Sequence, residues 1–406
     1  MTAVDEPAVA ASTAFRASDD ASIANNRPVY LDYNATSPLA PEALEAMMPF
    51  LTVEHGNASS THPYGVVARR AIEAARAQVA VLIGAEPEEV LFTSGGSESN
   101  NLALKGSLLA GETSQAHVLI SCIEHPAVQN TCRHLSARFG CRVTTVPVDS
   151  QGMVRPSDVL DALQPETRMI SVMLANNEVG TLQPLAEISQ LLRDSRPEIL
   201  IHTDAAQAVG KIPVDVRRLG VDLLTIAAHK LCGPKGVGAL YVRSGVTLEP
   251  LIHGSGHERG RRAGTENVPG IVGLGAAAEL ACLTLGAEEP RLRRLRGRLQ
   301  TGVCGAIPPA VIHGHPERCL PNTLNVSFPG VTGIAMLEAS PGLAASTGSA
   351  CHSASAEPSP VLLAMGVAPE LASGAIRLSH GRYTTEADID RAVDELAGAS
   401  ELLGVV

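Results

Sequence analysis

Tryptophan is absent from this 406-residue chain, and aromatic residues of all kinds make up only 2% of it. A substantial core must therefore be assembled mainly from Ala, Val, Leu and Ile, and a hydrophobic share of 45% supplies them. Positive charge is also in deficit, with 31 Lys and Arg against 42 Asp and Glu; a net charge of −11 speaks against nucleic acid as a bulk partner. Cys-x-x-Cys pairs are missing among the eight cysteines (122, 132, 141, 232, 282, 304, 319 and 351), which removes zinc ribbons and thioredoxin-like motifs. No apolar stretch is read as approaching the ~20 residues that span a membrane. Glycines form neither a dinucleotide fingerprint nor a Walker loop, so nucleotide binding has no support. Residues 1–27, rich in Ala, Ser, Asp and Thr, lack the apolar segment of a secretion signal. They read as a disordered leader on a reduced, cytoplasmic protein.

What is present is an alternation of helical stretches and short strands from about residue 41 to 280. Strands are expected at Val118 to Ser121, Val143 to Val146, Met169 to Met173, Glu198 to Ile201, Val221 to Ile226 and Gly238 to Val242. That pattern predicts a mostly parallel, helix-covered α/β sheet. The length exceeds one core, so two domains are expected: a large one over 28–285 and a smaller α+β one over 286–406. Residues 28–40 contribute to the site and to the small domain. An amphipathic helix carrying Leu292, Leu295 and Leu299 is expected to begin after Glu288-Glu289-Pro290.

Three segments carry chemistry. Lys230 closes Ala227-Ala228-His229-Lys230, just after an apolar strand and before a Gly-Pro-Lys-Gly turn. It reads either as a surface lysine at a strand end or as a buried amine, whose lowered pKa suits Schiff-base formation with an aldehyde. Asp204 follows another short strand, where open α/β sheets place ligand-contacting groups. It either caps the next helix or pairs with the protonated pyridine nitrogen of pyridoxal phosphate. Thr93-Ser94-Gly95-Gly96-Ser97 opens a helix, as a plain N-cap or as a phosphate cradle built from free N–H groups and Ser97. His313-Gly314-His315 lacks the carboxylate or thiol companions a metal site needs and reads as a surface turn. The run Arg259, Arg261 and Arg262 reads as an active-site or dimer loop, or as a solvated basic face.

These segments belong to a longer series in order: Tyr30 to Thr36, Ser94 to Ser99, Glu124-His125-Pro126, Asn176-Asn177-Glu178, Asp204 to Gln207, His229-Lys230, Gly256 to Gly260, Arg262 to Asn267, Thr347 to Cys351 and Ile376 to Ser379. In that series the chain resembles the cysteine desulfurases of the class V aminotransferase family, pyridoxal-phosphate enzymes of fold type I, from about Val29 to Val393. The resemblance implies a seven-stranded-type sheet, a homodimer and a set of roles. Lys230 would hold the cofactor and move the substrate Cα proton, His125 would stack on the ring, and Asp204 would keep its nitrogen protonated. Asn177 and Gln207 would reach the ring hydroxyl oxygen. Gly96, Ser97, His229 and, across a dimer interface, Thr265 would grip the phosphate. Arg377, helped by Asn34, would clamp the substrate carboxylate.

Cys351, in a small, polar segment, would take sulfur from L-cysteine as a persulfide and pass it to an acceptor protein or a small thiol. The family commonly has serine where this chain has Ala227; one hydrogen bond to a charged group is worth roughly 1.5–3 kcal/mol if unreplaced. Selenocysteine lyases share that loss and the Cys351-His352-Ser353 string, so L-selenocysteine stays open as the substrate. A catalytically silent sulfur-transfer scaffold is a third reading, and the intact Lys230, Asp204 and Cys351 argue against it.

Overall fold

The computed structural model describes residues 27–111, 115–347 and 357–405; Cys351 and nearly all of the expected leader lie outside the described residues. Twelve strands are described: β1 (Val29–Tyr30), β2 (Val90–Thr93), β3 (His117–Ser121), β4 (Arg142–Val146), β5 (Thr167–Ser171), β6 (Leu200–Asp204), β7 (Leu223–Ala227), β8 (Gly238–Val242), β9 (Val311–His313), β10 (Thr323–Ser327), β11 (Leu343–Ala344) and β12 (Ala375–Ser379). Seven of them form one sheet in the order β2-β8-β7-β6-β5-β3-β4. β3 to β7 are mutually parallel, and β8 alone runs against its neighbours. The mostly parallel sheet expected from the alternation is therefore the fold's centre.

β2, β3, β7 and β8 are buried at every position, as strands covered on both faces must be. Helices Pro41–Thr52 and Pro63–Ile83 lie together against Val268–Ala306 on one side. β6 and β7 each begin and end later than the apolar runs suggested. Asp204 is the last residue of its strand rather than a residue beyond it, because the ladder continues through polar His202 and Thr203, both fully buried.

The second core is smaller. Antiparallel β12-β10-β9 and the parallel pair β1–β11 pack with helix Glu386–Leu402 around Leu31, Leu324, Phe328, Ile376 and Leu396. The first described strand is thus sewn into the C-terminal core before the chain turns into the site. The helix expected to begin after Pro290 is instead the second half of a 39-residue helix, Val268–Ala306. Its first half joins the large core through Ile271, Leu274 and Ala278, and its second half joins the small core through Leu295, Leu299 and Val303. The boundary drawn at 285/286 falls inside it. This helix is also long and apolar enough to cross a membrane, unlike what the sequence reading held, but half of the apolar window is buried in the protein.

The loop between β8 and that helix is held by a buried ion pair. Arg76 Nη1 and Nη2 each donate to a Glu258 carboxylate oxygen at 2.9 Å, and Phe92 N donates to the same carboxylate at 2.9 Å. Glu258 and Arg259 are held at φ of 45° and 59°, an unfavourable conformation for residues with side chains. Arg262 of the same loop reaches Glu98 at 3.1 Å, which makes the arginine run part of the site's frame. Glu258→Ala leaves the buried Arg76 guanidinium with only half-exposed Glu73 and the backbone oxygen of Val90, and should cost up to about 3–5 kcal/mol in denaturant unfolding. A loss below about 1 kcal/mol, the surface-pair range, would show that the pair does not hold this loop.

Candidate active site

The carboxyl ends of the parallel strands converge on a cavity of about 590 Å³. Gly96 and Ser97 open the helix after β2, His125 comes from the turn after β3, and Asn177 from the segment after β5. Asp204 and Gln207 come from the end of β6, and His229 and Lys230 from the 3₁₀ turn after β7. Asn34, just after β1, and Arg377, on β12, close the cavity from the second core. Of the described residues to which the resemblance gives a role, all line this one space except Thr265, which is exposed and off its wall; Cys351 lies outside the described residues.

Lys230 is half-buried, and its Nζ donates to the backbone oxygens of Asn34 at 2.5 Å and Ala35 at 2.7 Å. It lies on the cavity wall rather than on the outer surface. Asp204 is buried and starts no helix. Its Oδ2 accepts from Asn100 Nδ2 at 2.7 Å and its Oδ1 from Ala206 N at 3.0 Å, so the carboxylate is aimed and anchored. Asn100 sits on the helix that opens at Gly96, which ties the carboxylate end of the cavity to the glycine end. That helix starts after Gly95 at φ 150°, a conformation that favours glycine. A Cβ at Gly96 would stand 3.3 Å from that of Ala227, so both small residues keep the helix mouth open. Its first N–H groups have no partner inside the helix.

The histidines are tuned toward neutrality. His125 Nδ1 accepts from Ala127 N at 3.1 Å, which assigns the ring proton of the neutral form to Nε2. Burial lowers its pKa; the Asp204 charge pulls the other way, and Lys230 adds to the lowering. His229, beside Thr36 Oγ1 at 3.1 Å, is pushed down to about 4 by burial and then by the charge of Lys230. Glu124, in the wall next to His125, is pushed up to about 8, chiefly by burial, with the Asp204 charge adding. Its Oε1 accepts from Ser121 Oγ and Met173 N, while Oε2 meets no partner among the described residues. A neutral acid at this position spares the site a second buried negative charge.

Arg377 is almost wholly buried, which only a committed set of partners allows. Nη1 donates to Asn177 O at 3.0 Å and Nη2 to Asp32 Oδ1 at 2.8 Å, fixing the guanidinium plane. Ser346 exchanges backbone hydrogen bonds with Arg377, and Ser359 Oγ donates to Glu178 Oε2 at 2.5 Å. The described residues on either side of Cys351 are thereby tied to the Arg377 and Asn176-Asn177-Glu178 segments.

Sequence reasoning gave no role to Asp32, Asn100, Glu124, Lys211, Asn322 or Thr323. Lys211 carried a signal: a lysine four positions after Gln207, inside an otherwise apolar Ala-Val-Gly-Lys-Ile-Pro-Val run. The donor set suits a phosphorylated pyridine aldehyde. It offers an amine, a buried carboxylate, an imidazole on the wall and a helix mouth at the opposite end.

A family model described as aminotransferase class-V matches residues 29–392. The chain is 47% identical over 371 residues to the cysteine desulfurase IscS of Methanosarcina thermophila, covering 91% of each protein. It is 48% identical over 382 residues to cysteine desulfurase IscS of Dictyoglomus turgidum, covering 94% of this chain and 96% of that one. Among solved structures, a NifS-like protein aligns with a TM-score of 0.87 at 39% identity, covering 93% of this chain and all of the other.

The Glu124 carboxyl has a testable signature. Its folded pKa lies above its unfolded value, so the folded state holds a proton the unfolded chain releases, and stability falls as pH rises from about 4.5 to about 8. Glu124→Gln keeps the acceptor for Ser121 and Met173 and cannot ionise. Its melting temperature relative to the parent should therefore climb between pH 5 and pH 8. A difference that stays flat across that range would mean Glu124 is already ionised at low pH.

Proposed function

The chain belongs to the class-V aminotransferase family, and from that premise we propose that it is a cysteine desulfurase, working with pyridoxal 5′-phosphate to take sulfur from L-cysteine and release L-alanine. The observation that carries this reading is the convergence of Lys230, Asp204 and Arg377 on one cavity in a chain similar along its length to cysteine desulfurases. Bound there, the cofactor supplies an electron sink for charge developing at the substrate Cα.

The protein's own groups do the rest. Lys230 Nζ holds the cofactor aldehyde and, once released by the incoming amino acid, takes the Cα proton. Asp204 keeps a proton on the ring nitrogen. Asn177 and Gln207 address the ring hydroxyl oxygen, and neutral His125, with its proton on Nε2, packs on the ring and relays protons. Gly96 N–H, Ser97 and His229 hold the phosphate, with Thr265 supplied by a second copy, which makes a homodimer part of the proposal. Arg377, its plane set by Asn177 and Asp32, receives the substrate carboxylate alongside Asn34. The Cys351 thiolate attacks the substrate sulfur. A new S–S bond forms as the Cβ–S bond breaks, and the electron pair stays with the carbon fragment that becomes alanine. The persulfide then passes to an acceptor protein or a small thiol.

Cys351→Ser separates the two halves of this chemistry. The variant should bind L-cysteine with a change in visible absorbance, yet lose alanine release by ~1,000-fold or more, as removal of a nucleophile does. With L-selenocysteine turnover should persist, since selenium leaves without nucleophilic attack. Normal alanine release from L-cysteine would rule out Cys351 as the acceptor. A parent enzyme inert toward L-cysteine but active on L-selenocysteine would make it a selenocysteine lyase instead. Lys230→Ala, run beside it, should lose the borohydride-reducible cofactor linkage.

A further inference from the structure

Lys211 is only 7% exposed, and among the described residues no carboxylate pairs with it. Its Nζ donates to Gln207 Oε1 at 2.8 Å and to Asn34 Oδ1 at 3.0 Å. The opposite ends of both amides are already assigned: Gln207 Nε2 donates to Asn34 O at 2.9 Å, and Asn34 Nδ2 to Thr323 Oγ1 at 2.8 Å and Asn177 O at 3.2 Å. These bonds fix which end of each amide is oxygen. Gln207 and Asn34 line the cavity and Lys211 does not, so the amine stands behind the wall and grips it by two carbonyl oxygens.

The groups facing Lys211 are Lys230, His229 and Cys232 from the turn after β7, with Arg377 and His380 from β12 and its end. Burial first, then the charges of Lys230 and Arg377, hold the amine well below the usual lysine range.

We propose that Lys211 is a positioning residue: by holding Gln207 Oε1 it makes Gln207 a fixed N–H donor toward the cofactor's ring oxygen, and so sets the protonation of the lysine–cofactor linkage. The proposal rests on the cofactor reading above. An anionic ring oxygen stabilises the proton on the linkage nitrogen. A hydrogen bond donated to that oxygen draws off its charge and weakens the hold on the proton. Without Lys211 only the bond to Asn34 O still orients the Gln207 amide, so the amide is freer to turn its oxygen toward the ring, the donor is weakened, and the linkage keeps its proton to higher pH.

The test is a pH titration of visible absorbance on the full chain loaded with pyridoxal 5′-phosphate. Lys211→Met should raise the midpoint by ~1 pH unit, the size expected for losing one hydrogen bond to a charged oxygen. On a Gln207→Leu background the same substitution should add no shift, because Lys211 acts through Gln207. An unchanged midpoint in Lys211→Met, or an equal shift with and without Gln207, overturns the proposal; the second would mean a direct effect of charge. If Lys211→Met does not fold, Lys211→Gln carries the same measurement with a smaller upward shift, and no shift there overturns the proposal equally. A parent protein that forms no borohydride-reducible linkage would instead overturn the cofactor reading, before Lys211 is at issue.

Discussion

One buried amide residue, Asn34, ties the two cores together at the cavity. Its backbone oxygen accepts from Lys230 and Gln207, its side-chain oxygen from Lys211 and Asn322, and its side-chain nitrogen donates to Asn177 and Thr323. Its own N–H donates to Ser379 Oγ at 3.0 Å. Lys230, Gln207, Lys211 and Asn177 belong to the seven-stranded sheet and its turns; Thr323, Asn322 and Ser379 belong to the small core. A single residue thus registers one core against the other, with no polar atom left over to absorb a mismatch. Buried networks of this kind are costly when half satisfied, and this one is fully used.

The electrostatics follow the same economy of charge. A cavity that holds Asp204, Lys230 and Arg377 has little room for further ions. Burial shifts several titratable groups around it toward their neutral forms: Glu124 upward, and His125, His229, His202 and Lys211 downward. Neutral donors and acceptors hold orientation without competing for the charges that bind a substrate carboxylate or a ring nitrogen.

How legible this was in the sequence depended on how local the signal is. Lys230, Asp204 and Gly96 sit where strands end, and apolar runs bounded by Gly and Pro mark such places. Asn322, Thr323 and Asp32 gain their roles from partners hundreds of positions away, which no local pattern encodes. Lys211 was passed over because a lysine among apolar residues resembles a surface residue until its partners are known. Strand ends shifted where buried polar residues such as His202 continued the ladder. The break read at Glu288-Glu289-Pro290 failed for a physical reason. Glu288 and Glu289 pair with Arg291 and Arg293 along the helix, and the long packed faces on both sides of Pro290 outweigh its missing hydrogen bond.

That helix has a mechanical meaning. At about 1.5 Å per residue it is a rod some ~58 Å long, with one end set in the core behind Lys230 and the other in the core behind Arg377. The core that carries the amine and the core that carries the guanidinium are therefore joined by one continuous element as well as by the bonds of Asn34. Pro290 is the interior position of that arm that donates no hydrogen bond to the preceding turn. The molecule is in that sense built like callipers, with two jaws carried on a single arm.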